Sequence, residues 1–92
     1  MSGLILRQLK IINVKGLHAR ASAKLVEVVE GFDAQAEISR DGMSVGGDSI
    51  MGLLMLAAPK GSTIDVQTSG PDAEALADAL EALVADRFGE DD

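Results

Sequence analysis

The sequence predicts an α+β domain in which three helices lie on one face of a mainly antiparallel four-stranded sheet. Two patterns carry that expectation. The hydrophobic period alternates between two and 3.6 in the order strand, helix, strand, strand, helix, strand, helix, and an Asp41-Gly42 pair joins two of the strands as a tight hairpin. Size agrees with it: 92 residues, 47% of them hydrophobic, support one core rather than two, so residues 1–92 are read as a single domain with about 1–5 and 89–92 as frayed ends.

The first strand lies in the aliphatic run from Leu4 to Val14, where Leu9 and Ile11 flank Lys10. From Ala19 to Glu30 the period becomes helical, with Ala21, Leu25, Val28 and Val29 on one face and Lys24, Glu27 and Glu30 away from it. Gly31 is the expected stop, in a left-handed C′ conformation. Ala34, Ala36 and Ile38 alternate with Gln35, Glu37 and Ser39 as a half-buried strand, and Met43-Ser44-Val45 returns after the hairpin. Gly46-Gly47-Asp48-Ser49 breaks that strand and caps a short helix from about Ser49 to Leu56, and Pro59-Lys60-Gly61 ends the unit. Ile64 and Val66 mark the fourth strand. Gly70-Pro71-Asp72 opens the last helix with proline in its first turn and Leu76, Leu80, Leu83 and Val84 as its buried stripe.

Composition removes several classes of function. Cysteine is absent and there is one histidine, so disulfides, thiolate chemistry and a cysteine or histidine metal site are not expected, and no cofactor is implied. A net charge of −7 and two phenylalanines as the only aromatics argue against nucleic acid. The stretch MSGLILRQLK lacks a basic leader with a long apolar run, and no segment approaches a membrane span, so a cytoplasmic location is expected. Much of the negative charge comes late, in Asp72, Glu74, Asp78, Glu81, Asp86 and Glu90-Asp91-Asp92, and reads as a solvated helix face and tail.

The single histidine stands in Lys15-Gly16-Leu17-His18-Ala19-Arg20-Ala21, where a strand hands over to a helix. Gly16 lets the backbone turn or come close to a ligand. Ala19, Arg20 and Ala21 are the first helical residues, whose N–H groups lack intrahelical partners and point, with the positive end of the helix dipole, at one place. Arg20 adds a guanidinium that grips oxyanions by two hydrogen bonds. Imidazole, helix N-terminus and arginine describe a place to hold a phosphoryl group on nitrogen, a transfer that asks mainly for positioning and electrostatic stabilisation. No general base and no carboxylate partner for His18 is visible beside it, and Gly46-Gly47-Asp48-Ser49 lacks the lysine of a P-loop, so the expected substrates are other proteins.

Gly16-Leu17-His18-Ala19-Arg20 resembles the active-site signature of the HPr family, the histidine-containing phosphocarrier proteins of the phosphoenolpyruvate-dependent phosphotransferase system. A second motif, Gly47-Asp48-Ser49-Ile50-Met51-Gly52-Leu53-Leu54-Met55-Leu56, is similar to the serine site and second helix of the same family, and the likeness extends over essentially the whole chain. It implies the open-faced β-sandwich, with the order βαββαβα. It also implies that His18 is phosphorylated on Nδ1 by enzyme I, which draws on phosphoenolpyruvate, and passes the group to a histidine of a IIA-type protein while Arg20 steadies the phosphoryl oxygens. The backbone of Ala19 and Arg20 would cradle those oxygens. The resemblance further marks Ser49 as a regulatory target of HPr kinase/phosphorylase. The chain departs from many members in having Ala21 rather than proline after the arginine. Along the first helix only Lys24 accompanies Lys15 and Arg20, with Glu27 and Glu30 outward.

The second helix carries its own signal, because IMGLLMLAA from Ile50 to Ala58 has no polar residue and a short helix cannot bury every side. With Ile50, Leu53 and Leu56 facing the core, Met51, Leu54 and Met55 form an adaptable exposed patch for partner docking, to which Lys24 and Ala21 are assigned as well. Ser49 is also the natural N-cap of that helix, where roughly −2 of added phosphate charge is tolerated by the fold but opposes docking. Brief docking through one patch favours a monomer. Two other readings compete with the phosphocarrier: a regulatory module that binds a small anion or metabolite reversibly at His18 and Arg20, and a corepressor partner acting through Ser49 alone.

Overall fold

Strands and helices follow one another in the expected order in a computed structural model that describes residues 4–91. They are β1 (Ile5–Lys10), α1 (Ala19–Glu30), β2 (Gln35–Arg40), β3 (Met43–Gly46), α2 (Ile50–Leu56), β4 (Thr63–Ser69) and α3 (Ala73–Ala85), and a 3-10 turn, Arg87–Gly89, comes after α3. The sheet order is β1-β4-β2-β3 and every pairing is antiparallel. Because successive strand residues point to opposite faces, Ile64, Val66 and Thr68 are buried while Thr63, Asp65 and Gln67 are exposed. The register sets Gln8 across from Asp65 and Glu37 across from Gln67, so the uncovered face is mostly polar. Its neighbour face receives the helices: α3 packs on β1 and β4, α2 on β3 and β2, and α1 lies against both other helices. This is the open-faced β-sandwich. No helix of the described residues is long and apolar enough to cross a membrane.

The hairpin turns through left-handed Asp41 and Gly42, with φ of 51° and 84°, which sets Arg40 opposite Met43. Arg7 reaches from β1 to Asp78 at 2.9 Å and Glu81 at 2.7 Å on α3, so part of the acidic helix face is paired rather than only solvated. With both carboxylates exposed, these pairs orient more than they stabilise.

Several local expectations need correction. Gly31 closes α1 in a right-handed conformation, φ −82°, with its N–H reaching Val28 and Val29, so no left-handed C′ residue is used there. Pro71 precedes α3 instead of lying in its first turn. A reciprocal pair shapes that entry: the Asp72 N–H donates to the Asp33 carbonyl at 3.1 Å, and the Asp33 N–H donates to the Asp72 carboxylate at 2.9 Å. The first strand itself runs from Ile5 to Lys10; Ile11 beyond it is buried in the core, with its N–H donating to the Ser62 carbonyl at 2.8 Å and its carbonyl accepting from the Gly61 N–H at 2.7 Å. On α1 the buried apolar positions are Ala21, Leu25, Val26 and Val29, with Val28 only half-buried. Ile50, at the first position of a seven-residue helix, is exposed rather than in the core; Leu53 and Leu56 are the buried pair.

The largest departure is at the end of the chain. Arg87, Phe88 and Gly89 all take left-handed φ values of 55°, 55° and 78°, and they turn the chain back over the helices with Phe88 fully buried. Residues 89–91, read from sequence as a frayed tail, are thereby held near α1; residues 1–3 and 92 of the expected frayed ends lie outside the described residues. Removing the anchor leaves a cavity. Phe88→Ala should lower stability by about 3 kcal/mol, read from the urea midpoint at constant m-value; a loss under about 0.5 kcal/mol would contradict a core role for this ring.

Candidate functional site

The connection from β1 to α1 is held at close quarters. Gly16 has φ +66°, and a Cβ there would stand 2.5 Å from the Ala58 carbonyl oxygen, so only glycine fits. The Leu17 N–H donates to that same carbonyl at 2.9 Å while the Leu17 side chain is buried. Anchored on both sides of this step, His18 becomes the N-cap of α1 with extended backbone, φ −79° and ψ −174°. Its own carbonyl accepts from the Ser22 N–H at 2.8 Å as the first helical bond.

The imidazole does what a serine or asparagine does in most N-caps: its Nδ1 accepts from the Arg20 N–H at 3.3 Å. An acceptor nitrogen carries no proton, so the Nδ1 lone pair points at the helix N-terminus. The other ring nitrogen, Nε2, is hydrogen-bonded to the Glu90 carboxylate. A carboxylate only accepts, so Nε2 carries the proton in this arrangement. Glu90 is held in turn by Asn13, a fully buried residue whose Nδ2 donates to Glu90 Oε1 at 3.0 Å and to the Gly16 carbonyl at 2.8 Å. The Asn13 Oδ1 is buried without a hydrogen-bond partner among the described residues.

Glu90 and Asn13 were not marked by the sequence as site residues, and Glu90 corrects the expectation of a histidine without a carboxylate partner. Seventy-two residues separate Glu90 from His18, so the pairing depends on the chain reversal at Phe88. The one available signal was a phenylalanine followed by glycine inside a polar tail. The His18 hydrogen bond, then the Asn13 hydrogen bond, hold the Glu90 carboxyl below its ordinary value of 4.5.

Lys15, Arg20 and Lys24 line a shallow cleft beside the imidazole together with Glu90 and Asp91. Arg20 is exposed, and its guanidinium makes no hydrogen bond or ion pair among the described residues. Lys24 is placed differently from the expected docking cation: its ammonium donates to the Phe88 carbonyl at 2.7 Å and secures the tail. Ala21 is a second correction to the docking set, because the helical period places it with Leu25 and Val29 in the core, fully buried. Ala19 remains exposed at the first helical position. Ser49 caps α2, its Oγ accepting from the Gly52 N–H at 3.0 Å. Met51 and Met55 are 71% and 65% exposed, and with Leu54 and Ile50 they form an apolar patch on α2, in the same helical layer as α1. Among the described residues no group of histidines and carboxylates could hold a metal ion.

A sheet open on one face, with a histidine capping the first helix on the other side beside a free arginine, is the architecture of small phosphocarrier proteins. Residues 5–86 match the family described as "PTS HPr component phosphorylation site". Phosphocarrier protein HPr of Cupriavidus necator is 52% identical over 87 residues, 95% of this chain and 98% of that protein. Phosphocarrier protein NPr of Shewanella violacea is 43% identical over 91% of this chain and 92% of its own length. Among solved structures, HPr-C-His from Thermoanaerobacter tengcongensis superposes with a TM-score of 0.90 at 32% identity, covering 95% of this chain and 98% of its own. The chain belongs to the HPr family of the phosphotransferase system.

The lowered Glu90 value has a sign. A carboxyl whose folded value lies below its unfolded one adds stability above the unfolded value and loses it as pH falls through the folded one. Between neutral pH and the acid range below 4.5, the native chain should therefore lose more stability than Glu90→Gln, measured by urea denaturation across a pH series. Parallel curves would contradict the contact.

Proposed function

We propose that this protein accepts a phosphoryl group on Nδ1 of His18 from phosphorylated enzyme I, originating in phosphoenolpyruvate, and passes it to a histidine of a IIA-type protein. The observation that carries this reading is the direction of the Nδ1 lone pair, held toward the N-terminus of α1 beside the free Arg20 guanidinium in a chain of the HPr family. When Nδ1 bonds to phosphorus, the Arg20 N–H loses its nitrogen acceptor and gains a phosphoryl oxygen. The Ala19 N–H and the Arg20 guanidinium supply further donors at the positive end of the helix dipole. The group is carried, not consumed, so the protein is a relay component rather than an enzyme. It works in the cytoplasm as a monomer, meeting its donor and acceptor in turn through the methionine-rich face of α2.

Ser49 is the regulatory site in this reading. Phosphate on its Oγ would replace the capping bond to Gly52 with charge-assisted ones, while roughly −2 of charge beside Ile50 and Met51 would oppose docking. Reversible sensing of a small anion at the same cleft remains the rival, and it needs no donor enzyme.

Intact mass separates the two. Incubation with phosphoenolpyruvate and catalytic enzyme I should add one phosphoryl group that is lost in acid, retained in base and absent from His18→Ala; no gain with an active enzyme I would contradict the carrier. With HPr kinase/phosphorylase and ATP instead, the gain should vanish in Ser49→Ala, and label persisting there would remove the Ser49 assignment.

A further inference from the structure

The tail that buries Phe88 delivers one carboxylate to one ring nitrogen, and the surrounding hydrogen bonds are arranged for that delivery. Lys24 secures the Phe88 carbonyl, and three consecutive left-handed residues then swing Glu90 back toward the start of α1. There it meets two donors at once, Asn13 Nδ2–H on Oε1 and His18 Nε2–H on Oε2. Only a carboxylate serves both, since glutamine offers one acceptor oxygen and turns its amide hydrogens on the other donor. Asn13 is buried with its own Oδ1 unpaired among the described residues. A buried orphan acceptor is costly, and it persists here where the partner amide holds Glu90 in place.

We infer that Glu90 is a positioning residue for phosphoryl transfer: by accepting from Nε2–H it keeps the proton off Nδ1 and presents that lone pair toward the incoming phosphorus. The inference rests on the reading of His18 as the phosphoryl acceptor. As the Nδ1–P bond forms, the bond between phosphorus and the donor breaks and its electron pair stays on the donor atom. No proton leaves His18. The ring acquires positive charge, with the proton still on Nε2, directly against the Glu90 carboxylate, which strengthens as an acceptor at that moment. On transfer onward the charge disappears and the same contact returns to its neutral form. Asn13 serves by fixing the carboxylate, in the way that a second group orients the base in a triad.

The test measures the free ring and the transfer separately in native protein, Glu90→Ala and Glu90→Gln, each first shown to be folded by its thermal transition. In 15N spectra of unphosphorylated native protein with a neutral imidazole, His18 should show a protonated Nε2 and an unprotonated Nδ1. Glu90→Ala should shift it toward the mixed tautomers of a free side chain. Rapid-quench phosphorylation by phosphoenolpyruvate and enzyme I should slow by roughly 10-fold or more in Glu90→Ala, the loss expected of a misplaced nucleophile. It should recover only in part in Glu90→Gln, which keeps an acceptor but not the charge. Native protein that takes no phosphoryl group would overturn the underlying reading of His18. Native protein that is phosphorylated on His18 while Glu90→Ala keeps its tautomer and its rate would overturn the role of Glu90, and a faster Glu90→Ala would make the tail an obstruction instead.

Discussion

An imidazole occupies the N-cap of α1, and the rest of the site is built to keep it there. Helices usually cap with a short oxygen acceptor, because the first-turn N–H groups need a partner close to the backbone. Here that partner is a ring nitrogen at 3.3 Å, a long hydrogen bond of modest net worth, about 0.5–1.5 kcal/mol. In the proposed relay this nitrogen gives up the amide when it bonds to phosphorus, and a weak cap suits that exchange. Exchanging a neutral nitrogen for a phosphoryl oxygen replaces the bond with a charge-assisted one, roughly twice as strong, so the helix end gains a better acceptor as the group arrives. The constraint propagates outward from this bond. The ring reaches the Arg20 amide because the backbone at His18 is extended, and that backbone is fixed by Leu17 hydrogen-bonded to Ala58 and by a Gly16 that tolerates the Ala58 carbonyl at its flank.

Charge around the cap runs against the charge of the whole chain. The protein carries −7, yet Lys15, Arg20 and Lys24 line the cleft next to His18. Two unit charges 4 Å apart interact by about 1 kcal/mol in bulk water and about 4 kcal/mol near a protein surface, so three local cations outweigh a diffuse and screened negative background. Asp78 and Glu81 on α3 are engaged by Arg7. Glu90 and Asp91 are the carboxylates that line this cleft, and the partners of Glu90 account for its place there: two N–H donors meet its two oxygens.

Much of this was legible in the sequence wherever a local rule decides the outcome. Alternation in Thr63–Ser69, the Asp41-Gly42 hairpin and the Ser49 cap each depend on residues within a few positions of one another, and each took the expected form. The His18, Ala19 and Arg20 arrangement was legible for the same reason, since a helix N-terminus orients three consecutive residues. What was missed depends on distance along the chain. Apart from the Phe88-Gly89 pair in a polar tail, nothing near Glu90 signals that it will meet Asn13 and His18. The pairing is a product of the Phe88 reversal, where non-glycine residues accept left-handed backbone in exchange for burying a ring. The smaller misses are tertiary overrides: Gly31 closes its helix right-handed, Pro71 sits in a turn shaped by the Asp33 and Asp72 pair, and Ile50 is left outside because a seven-residue helix turns only two leucines inward.

In the proposed relay the phosphoryl group on His18 takes over the hydrogen bonds of the α1 N-terminus. The most direct measurement is the backbone 15N–1H spectrum of the protein before and after phosphorylation by phosphoenolpyruvate and enzyme I. The Arg20 and Ala19 amide protons should move strongly downfield together, as donors to a charged oxygen do, while amides beyond the first turn of α1 move little. A fully phosphorylated protein whose Arg20 amide stays in place would mean that the group points away from the helix, and the cap would then be a structural bond with no part in the transfer.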